Sequence, residues 1–105
     1  MVQGKTNKVG NMQTENVEVT HNPEEHRFEL IVEGHLAVLD YIMMDDIMIF
    51  THTSVPPEIE GGNVGVKLAQ TGLEYAKQNG LGVRSKCWFV SKYLRRHSEY
   101  QDLVK

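Results

Sequence analysis

The hydrophobic repeat of this chain changes once, and the change is marked by a proline pair. Before Pro56-Pro57, apolar residues recur at every second position; from about Val64 they recur every third and fourth. Alternation belongs to half-buried strands and the longer period to an amphipathic helix, so the first half must build sheet and the second must cover it. Phe28, Leu30 and Val32 alternate with Arg27, Glu29, Ile31 and Glu33, which predicts one strand with a single buried face. Glu33-Gly34 predicts a hairpin, and residues 36–43 are apolar on both faces, as an inner strand would be. Asp45-Asp46 marks a second turn, followed by a β-branched strand over residues 47–55. Met43, Met44 and Met48 read as core filler. Upstream, Val17-Glu18-Val19 reads as a short first strand, residues 21–25 as a turn, and residues 1–15 as a mobile tail.

Proline cannot donate to a ladder, so pairing ends at Pro56. The helical stripe is Val64, Leu68, Gly72 and Ala76, flanked by Ala69 and Leu73, and Asn79-Gly80 supplies its stop. Residues 83–87 are short enough for one more strand, residues 90–96 read as a second helix, and Tyr100, Leu103 and Val104 are expected to pack back. The order predicts a three- to four-stranded antiparallel meander, a central helix, a further parallel strand and a C-terminal helix. That places the fold in the α+β or α/β class.

At 105 residues the chain suits one domain, expected over residues 16–105. Its 40% apolar and 24% charged residues are ordinary for a globular protein. No apolar run reaches the roughly 18 to 20 residues of a spanning helix, and the polar start has no secretory character. A single cysteine, Cys87, excludes an internal disulfide, so the expected compartment is the cytoplasm. Residues 1–60 hold 11 acids and 3 Lys/Arg, whereas residues 61–105 hold 3 acids and 8 Lys/Arg, a polarity that suits an anionic ligand on the second half. A solvated basic face fits the same counts. The acidic total and the absence of a basic stripe interleaved with aromatics argue against nucleic acid. His21, His26 and His35 lack metal-ligand spacing, so no metal is expected.

Between the last meander strand and the long helix lies Glu60-Gly61-Gly62-Asn63-Val64-Gly65. Unpaired N–H groups and the positive end of the dipole suit a phosphate at a helix start, and glycines let its oxygens approach the backbone. Neither dinucleotide nor Walker spacing is present, and a glycine-rich connection needed for shape alone reads the same way.

The segments His52-Thr53-x-Val55-Pro56-Pro57, Glu60-Gly61-x-x-Val64-Gly65-x-x-Leu68, Leu73-x-x-Ala76, Gly80-Leu81-x-Val83, Cys87-x-Phe89-Val90 and His97-x-Glu99-Tyr100-x-Asp102-Leu103-Val104 occur in that order. Together they resemble the short acetyltransferase-like group of the Gcn5-related N-acetyltransferase superfamily over residues 26–105. The resemblance implies acetyl-coenzyme A as the cosubstrate, with its pyrophosphate lined by Gly61, Gly62, Asn63, Val64, Gly65 and Val66. It implies a pantetheine arm along Thr53, Ser54 and Val55, and strands that splay apart at the cofactor. Three positions depart from the family pattern. Asn63 stands where glycine is usual, with Gly62 in place of a larger polar residue; Trp88 replaces the proline of Cys-Pro-Phe; Ser98 replaces a common proline. Asparagine tolerates positive φ best among the non-glycine residues, so the loop can survive.

Cys87 is the sharpest catalytic candidate, because a thiol beside a bound thioester can accept its acetyl group. Arg84, Lys86 and the following helix N-terminus are in position to favour its thiolate. An inert buried cysteine is the commoner fate. His52 is a candidate base, and a hydrogen-bonded strand histidine is the simpler reading; His97 reads as an anchor for the tail. Acetyl transfer to an unidentified amine, on a small molecule or a protein, is the first reading. A coenzyme-binding module without turnover, or an interaction domain, is the alternative.

Overall fold

A computed structural model describes residues 18–105. Its elements are β1 (Thr20–Asn22), β2 (Arg27–Val32), β3 (His35–Met44), β4 (Ile47–Ser54), a 3-10 turn (Pro57–Ile59), α1 (Val64–Gln78), β5 (Gly82–Ser85), α2 (Trp88–Arg96) and a closing 3-10 segment (Ser98–Leu103). The sheet order is β1-β2-β3-β4-β5. The first four strands are antiparallel neighbours, and β5 lies parallel to β4 after the α1 crossover. This is the α+β arrangement that the change of period predicts.

The tight turns follow from local conformation. Glu33 and Gly34 both take positive φ, 51° and 81°, as the hairpin between the paired Val32 and His35 requires. The first strand differs from expectation. Val17 and the tail over residues 1–15 lie outside the described residues, Glu18 and Val19 are not in a strand, and His21 and Asn22 pair with β2 instead of turning. The reason is the imidazole: His21 stacks on Phe28 at 4.4 Å between centroids and its Nε2 lies 2.6 Å from the Tyr41 hydroxyl. Asn22 also donates to Glu29 Oε2 at 3.0 Å. A polar residue thus packs within the strand, while Val19, just before it, is partly buried against the core.

The core lies between one face of the sheet and the two helices. Phe28, Leu30, Leu39, Met48, Phe50 and Val83 meet Val64, Leu68, Leu73 and Ala76 of α1, with Val90, Tyr93 and Leu94 of α2 completing the cluster. Gly72 sits where α1 crosses Phe50; a Cβ there would lie 2.9 Å from that ring. β3 is an inner strand as expected, yet Leu36, Ile42 and Met44 on its other face are exposed, because the helices cover one side of the sheet. Met43 is exposed too, so of the three methionines expected in the core only Met48 belongs there.

The C-terminal residues fold back. Tyr100 is buried and its hydroxyl donates to Glu74 Oε2 at 2.6 Å; burial and that neighbour push its pKa up. His97 stacks on Tyr93 at 3.9 Å, consistent with an anchor. Val104 is exposed rather than packed, and it contributes by bridging its backbone to Val83.

Two irregularities set β4 apart from its neighbours. Asp40 faces His52 while Tyr41 faces Phe50, so Thr51 is an extra, bulged residue. The pairing with β5 stops at Phe50↔Ser85, whereas β4 runs on to Ser54. Beyond that point the two parallel strands part.

Candidate functional site

The parting of β4 and β5 opens a groove of about 780 Å³, within the range of small-molecule sites. Its walls are residues 51–54 of β4 with Val55 just beyond it, Glu60 and Gly61, residues 63–66 at the start of α1, and residues 86–89 around the start of α2. Of the eleven residues singled out in the sequence, ten line it; Gly62 does not.

The loop at one end has the geometry of an anion cradle. Gly61 and Asn63 take positive φ, 89° and 62°, so the asparagine does occupy the left-handed region. The first intrahelical bond of α1 runs from the Lys67 amide to the Asn63 carbonyl at 3.0 Å, so the amides of Val64, Gly65 and Val66 precede the ladder. No side chain caps them and no acid stands in the first turn. A Cβ built on Gly61 meets nothing within 4 Å, so this stretch of backbone faces open space where ligand oxygens fit. Gly65 is different. A Cβ there would lie 2.9 Å from the Phe89 ring, so its lack of a side chain serves the docking of α2 on α1.

At the other end lies Cys87, 8% exposed, at the N-cap of α2. Its Sγ is 3.2 Å from Thr53 Oγ1, a contact that crosses between the diverging strands. The backbone of Cys87 is fixed by its neighbours. Ser85 Oγ donates to the Cys87 carbonyl at 2.8 Å and accepts from the Cys87 amide at 3.3 Å, and Ser91 Oγ lies 2.8 Å from Ser85 Oγ. The Ser91 amide also donates to the Cys87 carbonyl, at 2.9 Å. The thiol is therefore held by two serines and a threonine at a fixed place on the groove wall.

The bulge at Thr51 decides which β4 side chains face Cys87. Regular alternation would put His52 on the same face as Phe50. The extra residue shifts the phase, so Thr53, opposite Leu39, turns toward the core side and His52, opposite Asp40, turns to the outer side. His52 is exposed at the groove's edge, and among the described residues no hydrogen bond links it to Cys87. Of the two cations expected near the thiol, Lys86 lines the groove. Arg84 does not: its Nε donates to the Lys105 carbonyl at 3.1 Å.

Sequence reasoning assigned Thr53 to the pantetheine wall and missed its contact with Cys87, 34 positions away. It also missed Ser85 and Ser91 as the supports of Cys87, and Trp88 and Phe89 as groove walls. A pairing of that range is set by the sheet register and leaves no local signal.

A strand pair parted beside a left-handed turn, with a helix opening on that turn, defines the architecture of an acetyltransferase-type fold. Residues 27–103 match the model of the GCN5-related N-acetyl-transferase family, and the chain belongs to that family. Protein NATD1 of Mus musculus is 26% identical over 92 residues, spanning 85% of this chain and 84% of that protein. Protein NATD1 of Gallus gallus is 26% identical over 84 residues, spanning 77% and 76%. Among solved structures, a GCN5-like N-acetyltransferase candidate from Staphylococcus aureus, determined by NMR in solution, superposes with a TM-score of 0.67. It is 29% identical, and the match covers 86% of this chain and 89% of that one.

Proposed function

We propose that this chain binds acetyl-coenzyme A in the β4–β5 groove and transfers the acetyl group to an amine. The observation that carries the reading is the Cys87 Sγ–Thr53 Oγ1 contact of 3.2 Å, which sets a nucleophile type on the wall of a groove whose far end is an uncapped helix start. In this reading the backbone amides at Gly61 and over residues 63–66 receive the pyrophosphate, as helix N-termini receive phosphates elsewhere. The free edge of β4 over Thr53, Ser54 and Val55 offers main-chain groups to the pantetheine amides.

Cys87 Sγ attacks the thioester carbonyl and bonds to its carbon; the coenzyme sulfur leaves and takes up the thiol proton, with Thr53 positioned to hold the reacting sulfur. An amine then attacks the acetyl-cysteine and restores the thiol. His52, at the groove's outer edge, is the group placed to take the amine's proton. The protein so described is a single domain acting in the cytoplasm, where acetyl-coenzyme A and a reduced thiol coexist.

Incubation with acetyl-coenzyme A alone tests the transfer. One acetyl mass should appear on the peptide containing Cys87 and be absent from Cys87→Ser; an unmodified wild-type protein that still binds the coenzyme refutes the acetyl-enzyme route. A second reading, a coenzyme-binding module without turnover, is favoured by one observation. Cys87 is only 8% exposed and its backbone is tied into the Ser85–Ser91 cluster, as a structural cysteine would be. Calorimetric binding with no acetyl transfer, to protein or to an amine panel, would establish that reading instead.

A further inference from the structure

Trp88 is 72% exposed, although it is among the largest apolar side chains in the protein. It opens α2 and lines the groove beside Lys86. Nothing in the core needs it: its neighbour Phe89 makes the packing contact, with its ring set against Gly65 in the first turn of α1. That contact holds the first turn of α2 close to the anion cradle, and the Trp88 ring lies 6.3 Å from the Phe89 ring, inclined at 45°. One turn further along α2, Lys92 extends its Nζ to 5.4 Å from the centre of the Trp88 ring. The groove wall therefore presents an exposed aromatic surface with an ammonium group over it. That ammonium repels a cationic acceptor and attracts an anion, and an indole face favours a flat ring.

We propose that Trp88 is the platform for the adenine of the coenzyme, with Lys92 receiving its 3′-phosphate. This rests on the coenzyme-binding reading and goes beyond it by giving two side chains to the nucleotide half of the ligand. A base stacked on an aromatic side chain is retained by contact with the π-face, and Lys92 over the indole adds a cation to that surface. The acceptor amine then approaches from the His52 edge of the groove.

Trp88 is the only tryptophan in the chain, so its emission reports on this surface directly. Coenzyme A, its 3′-dephospho form and 4′-phosphopantetheine, which has no nucleoside, would be titrated by calorimetry and by fluorescence. Coenzyme A should change Trp88 emission, and 4′-phosphopantetheine should bind without doing so. Trp88→Ala should weaken coenzyme A roughly fivefold to a hundredfold, the range for losing one base–aromatic stack, and leave 4′-phosphopantetheine unaffected. Trp88→Phe should recover most of that affinity. Lys92→Ala should narrow the preference for coenzyme A over its dephospho form. Since Trp88 is exposed, the melting temperature of Trp88→Ala should stay near wild type, which separates a binding loss from misfolding. If coenzyme A binds with unchanged emission and Trp88→Ala binds it equally well, the platform is refuted while the coenzyme reading stands. If coenzyme A does not bind the wild-type protein at all, both fall.

Discussion

Replacing Asn63 separates what the cradle needs from what its side chain contributes. Asn63 sits at φ 62°, ψ 24°, at the N-cap of α1, and its side chain makes no capping hydrogen bond. The position therefore demands a left-handed backbone and uses nothing of the amide group. An ordinary L-residue there pays about 1–2 kcal/mol, which asparagine largely escapes and glycine escapes entirely. Asn63→Ala should cost about 1 kcal/mol, a fall of roughly 4–8 °C in melting temperature for a domain of about this size. The same strain drives the free loop out of its binding shape, and about 1 kcal/mol is about a fivefold loss of the competent fraction. Coenzyme A affinity should then weaken about fivefold. Asn63→Gly should keep both stability and affinity close to wild type, since it supplies the same φ without a Cβ. Thermal melts with and without ligand, and calorimetry on both variants, read the two effects. If Asn63→Gly loses as much affinity as Asn63→Ala, the amide side chain touches the ligand and the conformational reasoning is wrong. If neither variant changes anything, the left-handed turn is not what shapes the cradle.

Gly72→Ala tests the crossing of α1 over β4. The helix gains about 1 kcal/mol from alanine, but the new methyl would sit 2.9 Å from a fully buried Phe50, and overpacking costs about 1–3 kcal/mol. Urea melts should show a net loss that Phe50→Leu in the same chain relieves; a gain in the single variant would contradict the packing. Burial holds the His21 pKa below its usual 6.5, so the folded state favours the neutral ring and unfolding takes up a proton. Stability from this residue is full above 6.5 and falls as pH drops through that value toward the lower folded pKa, a slope that His21→Gln should remove from urea midpoints measured between about pH 5 and 8. Thr53→Val deletes the hydroxyl beside Cys87, and acetylation of Cys87 should slow about fivefold for one hydrogen bond of about 1 kcal/mol. Thr53→Ser should retain the wild-type rate, and equal rates in all three proteins would remove Thr53 from the site.

The elements with strong periodicity were legible: β2, β4, α1 and its Asn79-Gly80 stop follow from spacing and turn chemistry. The left-handed turn before α1 was legible as well, because glycine and asparagine stand where φ turns positive. What stayed hidden depends on partners distant in sequence. β1 forms around the ring of His21, whose apolar neighbours Phe28 and Tyr75 are supplied by β2 and α1. Met43 and Met44 read as core because their chemistry is apolar, while the side of the sheet the helices cover is a property of the whole fold. Gly65 looked like part of a ligand turn, and only the Phe89 ring reveals its second duty. The bulge at Thr51 has no signature in a run of hydroxyl and β-branched residues, and it alone decides that Thr53 rather than His52 meets Cys87.

That bulge makes β4 a strand with two reading frames. Residues before Thr51 are phased by the hairpin at Asp45-Asp46, and those after it by their pairing with Asp40, Leu39 and Val38 of β3. Deleting Thr51 would leave Phe50 opposite Tyr41 and His52 opposite Asp40, so both faces would persist without the bulge. The junction should thus give up one residue without changing which side chains meet the groove, whereas loss of a residue between Ile47 and Phe50 has to be absorbed in the pairing with β5 as well.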